Sequence, residues 1–216
     1  ITTHYYPENL LFSMYSVIHE GGHALYELGV DQKYDLTALS GGTTMAMHES
    51  QSRFYENMIG RSYAFFEAHY DKIKEIFSEE LADITIDDFH KLANGVKCSL
   101  IRTEADELTY PMHVMLRYEI EKLLLTDQIT VNDLPTVWNK MMKEYLGIDV
   151  PSDNLGVLQD THWSGGSFGY FPTYAYGSAI SAQLYQAMAK DIDIESELKT
   201  GTTKAINEWL KEHVHK

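Results

Sequence analysis

His19-Glu20-Gly21-Gly22-His23 is the stretch that decides the interpretation of this chain, because it matches the H-E-x-x-H pattern of helix-borne metal sites. On a helix, two histidines four residues apart lie one turn apart on one face, so both imidazoles can bind one ion. The glutamate beside the first histidine can reach a metal-bound water and accept its proton. The pattern therefore predicts His19 and His23 as metal ligands and Glu20 as a general base.

The residues around this motif predict a helix over 8–28, which begins after Pro7 and ends at Gly29. Its apolar residues recur at steps of three and four, which is the spacing of one helical face. Gly21 and Gly22 are unusual inside a helix, where each costs about 1 kcal/mol relative to alanine. We therefore expect metal coordination, or the close approach of another backbone, to hold this turn.

The rest of the sequence predicts a mainly α protein with little β structure. Helical patterns cover 44–78 with a break near Gly60, 87–125 with a kink or break at Pro111, 133–146, 178–190 and 203–214. Thr85 is the predicted N-cap of the third helical segment. Residues 36–44 are the candidate for one short strand, and residues 148–177 are predicted to be irregular because glycine recurs there.

A catalytic zinc centre takes three protein ligands and leaves one position for water. The downstream candidates for the third ligand are His48, Glu49, Glu56 and His69. Glu49 lies near the start of the second predicted helix, which can pack against the first, and its carboxylate would complete a His₂Glu set. Spacing alone favours Glu49, with the neighbouring His48 as the competing ligand.

The charge balance of 17 basic against 32 acidic residues gives a net charge of −15. A field of this sign repels phosphate backbones and anionic lipid surfaces, which disfavours nucleic-acid and membrane partners. The sequence contains no run of apolar residues long enough to span a bilayer. The single cysteine, Cys98, cannot form an internal disulfide, so we expect a cytoplasmic protein.

Four motifs occur in a fixed order along the chain. They are His19-Glu20-Gly21-Gly22-His23, His48-Glu49-Ser50-Gln51, Ile101-Arg102-Thr103-Glu104-Ala105-Asp106 and Gly156-Val157-Leu158-Gln159-Asp160-Thr161-His162-Trp163. They resemble the H-E-x-x-H, H-E-S/G-Q, I/V-R-x-x-A-D and G-x-x-Q-D-x-H-W motifs of the carboxypeptidase Taq family of zinc metallocarboxypeptidases. The resemblance covers essentially the whole chain, although the family's H-P-F motif is absent.

The resemblance implies a zincin-like helical metalloprotease fold of the gluzincin type, in which the H-E-x-x-H helix packs on a second ligand-bearing helix. It implies that Zn²⁺ is held by His19, His23 and Glu49, at a site that Co²⁺ or Mn²⁺ can also occupy. The expected activity is release of C-terminal amino acids from peptides with a free C-terminus. Family members are dimers, so a homodimer is expected, with residues 1–216 as a single catalytic domain from the carboxy-terminal half of a longer chain.

Three alternatives to carboxypeptidase activity stay open from the sequence. The first is a gluzincin endopeptidase or oligopeptidase, which would cleave peptides whose C-terminus is blocked. The second is a chain that binds metal but is inactive, because the missing half of the family's length should wall one side of the substrate groove. The third is a purely helical scaffold with a fortuitous motif, which would bind no stoichiometric metal.

A carboxypeptidase must bind the free α-carboxylate of its substrate, and arginine suits this role because its planar guanidinium binds a carboxylate through two hydrogen bonds. Arg102 is the predicted residue. The alternative for Arg102 is a buried ion pair with Glu104, Asp106 or Glu49. Tyr170, in an aromatic-rich stretch, is predicted to help bind the substrate.

Two further side chains are predicted to stabilise the oxyanion that forms when water attacks a peptide carbonyl. His162 lies in a glycine-rich stretch, where catalytic groups often occur, and Asp160 is placed to orient its imidazole. Tyr174 can donate its hydroxyl proton to the same oxyanion. The alternative for His162 is a structural histidine.

Overall fold

The computed structural model describes residues 2–3 and 6–215, in which helices predominate and no strand occurs. The α-helices are α1 (Leu10–Gly29), α2 (Met45–Arg53), α3 (Tyr63–Ile76), α4 (Ile86–Ala93), α5 (Tyr110–Leu125), α6 (Leu134–Leu146), α7 (Pro172–Met188), α8 (Ile194–Lys199) and α9 (Lys204–His213). A π-helical segment, Phe54–Ile59, continues α2, and short 3₁₀ helices lie at Gln32–Tyr34, Arg102–Glu104, Val131–Asp133 and Asp153–Leu155. The predicted mainly α fold is confirmed.

The chain divides into two compact units. The first unit comprises Ile1–Asn94 and Tyr176–Lys216, and the second comprises Gly95–Ala175. Helices α1 to α4, α8 and α9 therefore belong to the first unit, whereas α5 and α6 belong to the second. The prediction that the chain forms a single catalytic domain stays a prediction.

Two apolar clusters form the core of the first unit. One is built around Phe54 and Ile59 of the π-helical segment and includes residues of α7, α8 and α9. The other joins Tyr15 of α1 to Phe66 and Phe89, whose rings meet edge-on with centroids 5.3 Å apart. Each fully buried ring contributes about 1.5–3 kcal/mol relative to an exposed one, so these clusters fix the framework that carries α1 and α2.

Helices α1 and α2 begin at the side-chain caps that their sequences provide. Asn9 accepts a hydrogen bond from the amide of Phe12, and Thr44 accepts one from the amide of Met47. Helix α1 ends at Gly29, as predicted. The expected break in the second helical segment is also present, because the chain turns at Gly60 after the π-helical residues and α3 begins at Tyr63.

Helices α5 and α6 form the core of the second unit. Leu116 and Ile120 of α5 are fully buried against Trp138 and Met142 of α6. Helix α6 ends where the sequence predicted, because Gly147 adopts a left-handed conformation with φ 71°. None of the helices in the described part of the chain has both the length and the apolar character that crossing a bilayer requires.

The prediction of a long helical segment over 87–125 is wrong. Thr85 caps α4 as expected, but α4 ends at Ala93, and the chain up to α5 contains only one short 3₁₀ helix. Apolar residues in this connection fall at helical spacing without forming a helix. The segment is broken before Pro111, which lies in the first turn of α5, where its missing N–H costs nothing, so it starts a helix instead of kinking one.

Three other boundaries differ from the predictions. Residues 36–44 form turns and irregular backbone instead of a strand, and Leu36 has a positive φ of 62°. Residues 148–177 are not irregular throughout, because α7 begins at Pro172. The six residues of α8 were not predicted, since so short a segment gives almost no periodic signal.

Candidate metal centre

Three ligand atoms converge on one point in the first unit. His19, His23 and Glu49 each offer one ligand atom, and these atoms all lie within 4.8 Å of one another. The Nε2 atom of His19 lies 3.7 Å from Oε2 of Glu49, and Nε2 of His23 lies 3.9 Å from Oε1 of the same carboxylate. With metal–ligand bonds of about 2.0–2.2 Å, tetrahedral ligand atoms lie about 3.3–3.6 Å apart. The two distances between the histidines and the Glu49 carboxylate are close to this range, so the three side chains fit around one ion.

Two glycines allow the backbone of α2 to lie close to its neighbours on both sides. A Cβ atom at Gly22 of α1 would lie 2.6 Å from Cα of Ser52 and 2.7 Å from the carbonyl oxygen of Gln51. A Cβ atom at Gly177 of α7 would lie 2.6 Å from Cβ of Glu49. The close approach of another backbone, expected at the paired glycines, is thus confirmed for Gly22. This approach brings Glu49 to the two histidines.

His19 is oriented by a buried carboxylate. Its Nδ1 atom lies 2.9 Å from Oε2 of Glu56, and Glu56 also pairs with Arg53 at 3.1 Å and Arg61 at 3.3 Å. Burial alone would raise the pKa of Glu56, but the Arg53 guanidinium and the hydrogen bond with His19 outweigh it and lower the pKa to about 2. The ionised carboxylate holds the proton of His19 on Nδ1 and leaves Nε2 directed at Glu49.

The Nδ1 atom of His23 contacts a second histidine, whereas that of His19 contacts a carboxylate. The Nδ1 atom of His23 lies 2.8 Å from Nδ1 of His48, and Nε2 of His48 lies 2.6 Å from Oε1 of Glu27. Burial, with the charges of His19 and His48, lowers the pKa of His23 to about 4. His23 is therefore neutral at pH 7, which is the form that binds metals.

The structure separates the four candidates for the third ligand. Among the described residues, only Glu49 joins the two motif histidines in a group that can bind a metal. His48 and Glu56 lie behind the ligands, each bonded to the Nδ1 atom of one of them. His69 packs its ring against Phe65, with centroids 4.6 Å apart, and takes no part in the group.

Glu20 occupies the position that the motif requires. It follows His19 on α1 and is partly exposed, whereas Glu49 is buried at 4% exposure. A carboxylate that remains open to solvent next to a ligand can exchange a proton with a water molecule at the site.

Arg102 lies in a buried ionic cluster of the second unit. Its Nε and Nη2 atoms donate to Oδ1 of Asp160 at 3.1 and 2.9 Å, and its Nη1 donates to the hydroxyl of Tyr110 at 2.8 Å. Arg117 binds the other oxygen of Asp160 through Nε at 2.6 Å. The ion-pair alternative for Arg102 is therefore present, but the partner is Asp160 and not Glu104, Asp106 or Glu49.

His162 and the two predicted tyrosines form one aromatic group in the same unit. Nε2 of His162 lies 3.1 Å from the hydroxyl of Tyr174, and the ring of Tyr170 lies 5.3 Å from the imidazole between centroids. Burial, followed by the charge of Arg102, lowers the pKa of His162. Asp160 does not hydrogen-bond the imidazole, because the two groups approach only to 3.9 Å.

The family of the chain follows from comparison with known proteins. A model of the family described as carboxypeptidase Taq (M32) metallopeptidase matches residues 1–216. The chain belongs to this family. The match confirms the resemblance to the carboxypeptidase Taq family that the four ordered motifs indicated.

Curated relatives in the carboxypeptidase Taq family agree with this assignment. Carboxypeptidase 1 of Bacillus subtilis (strain 168) is 46% identical over 216 residues, which are 100% of this chain and 43% of the relative. Thermostable carboxypeptidase 1 of Pyrococcus furiosus is 43% identical over 217 residues, again 43% of its length. The chain thus spans less than half the length of the curated relatives that it matches.

Solved structures show the same helical fold. The M32 carboxypeptidase from Deinococcus radiodurans R1 superposes with a TM-score of 0.95 at 41% identity, covering 100% of this chain and 44% of that one. Metallocarboxypeptidase 1 of Trypanosoma cruzi gives a TM-score of 0.92 at 39% identity, covering 100% and 45%. The predicted helical metalloprotease fold is confirmed.

Sequence reasoning missed several residues that support the family motifs. Arg117 is fully buried and binds both Asp160 and Gln159 of the fourth motif. Glu121 accepts hydrogen bonds from the indole of Trp163 and the amide of Gly169, at 2.8 and 3.0 Å. Arg117 and Glu121 lie four residues apart on one face of α5. The sequence signal that could have found them is this helical spacing of two charged residues among apolar ones.

Proposed function

We propose that this chain carries the catalytic metal centre of a metallocarboxypeptidase, which releases C-terminal amino acids from peptides. The convergence of His19, His23 and Glu49 within 4.8 Å supports this function, in a chain of a metallopeptidase family. The curated relatives are named carboxypeptidases, which supports peptides with a free C-terminus as the substrate class.

We propose Zn²⁺ as the ion of this centre. Two neutral imidazoles and one carboxylate form a donor set typical of catalytic zinc, with a fourth position for water. The directed Nε2 atoms of His19 and His23 and the buried carboxylate of Glu49 fit this set. Co²⁺ and Mn²⁺ can occupy the same donors. When bound, such an ion supplies a Lewis acid and lowers the pKa of a coordinated water.

Glu20 is the proposed general base. Its carboxylate accepts a proton from the attacking water and then gives this proton to the departing amine nitrogen as the peptide bond breaks. The buried carboxylate of Glu49 is committed to the ion, so the two glutamates differ in role because they differ in exposure. His19 and His23 hold their imidazoles in fixed orientations through the hydrogen bonds of their Nδ1 atoms.

The roles of the second-unit residues are proposed from the chemistry of their side chains and, for Arg102 and His162, from their place in the family motifs. His162 and Tyr174 are assigned to stabilise the oxyanion, and the hydrogen bond between them supports this by fixing the imidazole. Arg102 and Tyr170 are assigned to the substrate carboxylate. Arg102 carries five N–H groups, of which three bind Asp160 and Tyr110, so its Nη atoms retain two N–H groups for a further acceptor.

A pair of peptides tests the substrate class. We expect a peptide with a free C-terminus to lose residues one at a time from that end, whereas the same peptide with an amidated C-terminus is not cleaved. The physical reason is that amidation removes the charge that the arginine must bind. The products are measured by mass spectrometry after incubation with the longest natural form of the protein that contains this chain, loaded with Zn²⁺.

The endopeptidase and inactive-chain alternatives give different results in the same assay. Internal cleavage of the amidated peptide would show an endopeptidase or oligopeptidase. Bound zinc without cleavage of either peptide would show a chain that binds metal but is inactive. An enzyme treated with a chelator serves as the control for metal-independent hydrolysis.

A cytoplasmic homodimer without nucleic-acid or membrane partners remains part of the proposal. The net charge of −15 supports the absence of phosphate-rich partners. The single cysteine, which is exposed, supports a reducing compartment.

A further inference from the structure

The two histidine ligands differ in what lies behind them. On the side of its Nδ1 atom, His19 contacts the buried carboxylate of Glu56 directly, whereas a second imidazole lies between His23 and the carboxylate of Glu27. The contacts run from Nδ1 of His23 to Nδ1 of His48 at 2.8 Å, and from Nε2 of His48 to Oε1 of Glu27 at 2.6 Å. Both distances are those of good hydrogen bonds.

Only one arrangement of protons satisfies these contacts when His23 binds a metal through Nε2. The Nε2 atom must then be unprotonated, so the proton of His23 lies on Nδ1 and is donated to His48. His48 accepts on Nδ1, which places its own proton on Nε2, where it is donated to the carboxylate of Glu27. Each imidazole carries one N–H, and both N–H groups point away from the metal.

The surrounding residues hold His48 and Glu27 in place. Glu27 lies one turn after His23 on α1, and its Oε1 atom also accepts a hydrogen bond from the amide of Gly42 at 3.1 Å. The ring of Tyr26 meets the His48 ring edge-on with centroids 5.1 Å apart. A Cβ atom at Gly42 would lie 2.8 Å from both rings, so the loop can close over them only with glycine there.

We propose that His48 and Glu27 are positioning residues that fix the tautomer and the orientation of His23 as a metal ligand. The inference rests on the proposed metal centre and adds two residues to it. His48 directly precedes the third ligand, Glu49, on α2. The hydrogen bonds of His48 with His23 and Glu27 therefore also connect helix α1 to α2. Removal of such a hydrogen-bonding partner typically weakens metal binding by 10- to 100-fold.

Zinc binding by the purified chain tests the proposal, with the dissociation constant measured by chelator competition. His48→Ala is expected to weaken zinc binding by about 10- to 100-fold. His48→Asn keeps an acceptor at the position of Nδ1 and is expected to recover most of the affinity. Glu27→Gln keeps an acceptor for the His48 proton but loses the charge, so its loss of affinity should be smaller than that of His48→Ala. His69→Ala, outside the group, is the matched control and should bind zinc like the unaltered chain.

A spectroscopic signal separates positioning from a general effect on folding. In the zinc-loaded chain, nitrogen-15 spectra of the imidazoles should show His23 protonated on Nδ1, and this signal should change in His48→Ala. If His48→Ala does not fold, Glu27→Gln provides the same comparison.

Two outcomes would overturn the proposal in different ways. Equal zinc affinity in His48→Ala and the unaltered chain would refute the positioning role and leave the metal centre standing. Failure of the unaltered chain to bind zinc would refute the metal centre itself, and the positioning role with it.

Discussion

Glu20→Gln is expected to lower kcat for a peptide with a free C-terminus by about 10²- to 10⁴-fold, the range that a general acid–base group contributes. The amide has nearly the same shape as the carboxylate but cannot accept a proton from water. Because Glu20 is not one of the three ligands, the variant should still bind one zinc ion per chain. The measurement combines kcat with metal content, in the longest natural form of the protein that contains this chain.

The control for this prediction is Glu75→Gln, which removes an exposed carboxylate from α3 and should leave both quantities unchanged. Unaltered turnover in zinc-loaded Glu20→Gln would show that another group accepts the proton. Loss of the ion from Glu20→Gln would equally contradict the assignment, because it would make Glu20 part of the binding site.

Alanine substitutions at the two neighbouring glycines of the H-E-x-x-H motif should change the free energy of unfolding in opposite directions. A Cβ atom at Gly22 would overlap the backbone of α2, with Cα of Ser52 at 2.6 Å. We expect Gly22→Ala to lower the free energy of unfolding by about 3 kcal/mol, the upper end of overpacking costs, because backbone cannot move aside as a side chain can. The displaced helix would also separate the histidines from Glu49, so zinc binding should weaken.

Gly21→Ala is the matched control, since a Cβ atom there would meet nothing within 4 Å. Alanine favours the helix over glycine by up to about 1 kcal/mol, so this variant should be as stable as the unaltered chain or more stable. Urea unfolding of both variants and chelator competition for zinc make the comparison. Similar stability changes in the two variants would show that α1 and α2 do not pack through Gly22.

The sequence was sufficient for the parts of the site whose chemistry depends on short spacing. His19, Glu20 and His23 are related by one helical turn, and a regular helix leaves little freedom in that geometry. The paired glycines predicted either metal coordination or the close approach of another backbone, and the structure shows the approach at Gly22. The break near Gly60 followed from the low helix propensity of glycine. Spacing alone favoured Glu49 over His48 only weakly, since neighbouring residues differ little in spacing, and the family resemblance strengthened that ranking.

The contacts that support the site could not be predicted, because they join residues far apart in the chain. Glu27 lies 21 residues from His48, and Glu56 lies 37 residues from His19. Asp160 lies 58 residues from Arg102 along the chain. The carboxylates expected to pair with Arg102 lie nearer to it in sequence, but Arg102 pairs with Asp160 instead. A pattern of spacing along one helix contains no information about which side chains meet across two helices.

Zinc stoichiometry tests the central claim, that His19, His23 and Glu49 form one metal centre. The purified chain is incubated with Zn²⁺, freed of unbound ions and analysed by elemental mass spectrometry, alongside His19→Ala and the control His69→Ala. We expect one ion per chain in the unaltered protein and in His69→Ala, and none in His19→Ala. An unaltered chain without zinc, or a His19→Ala chain that keeps its ion, would contradict this claim.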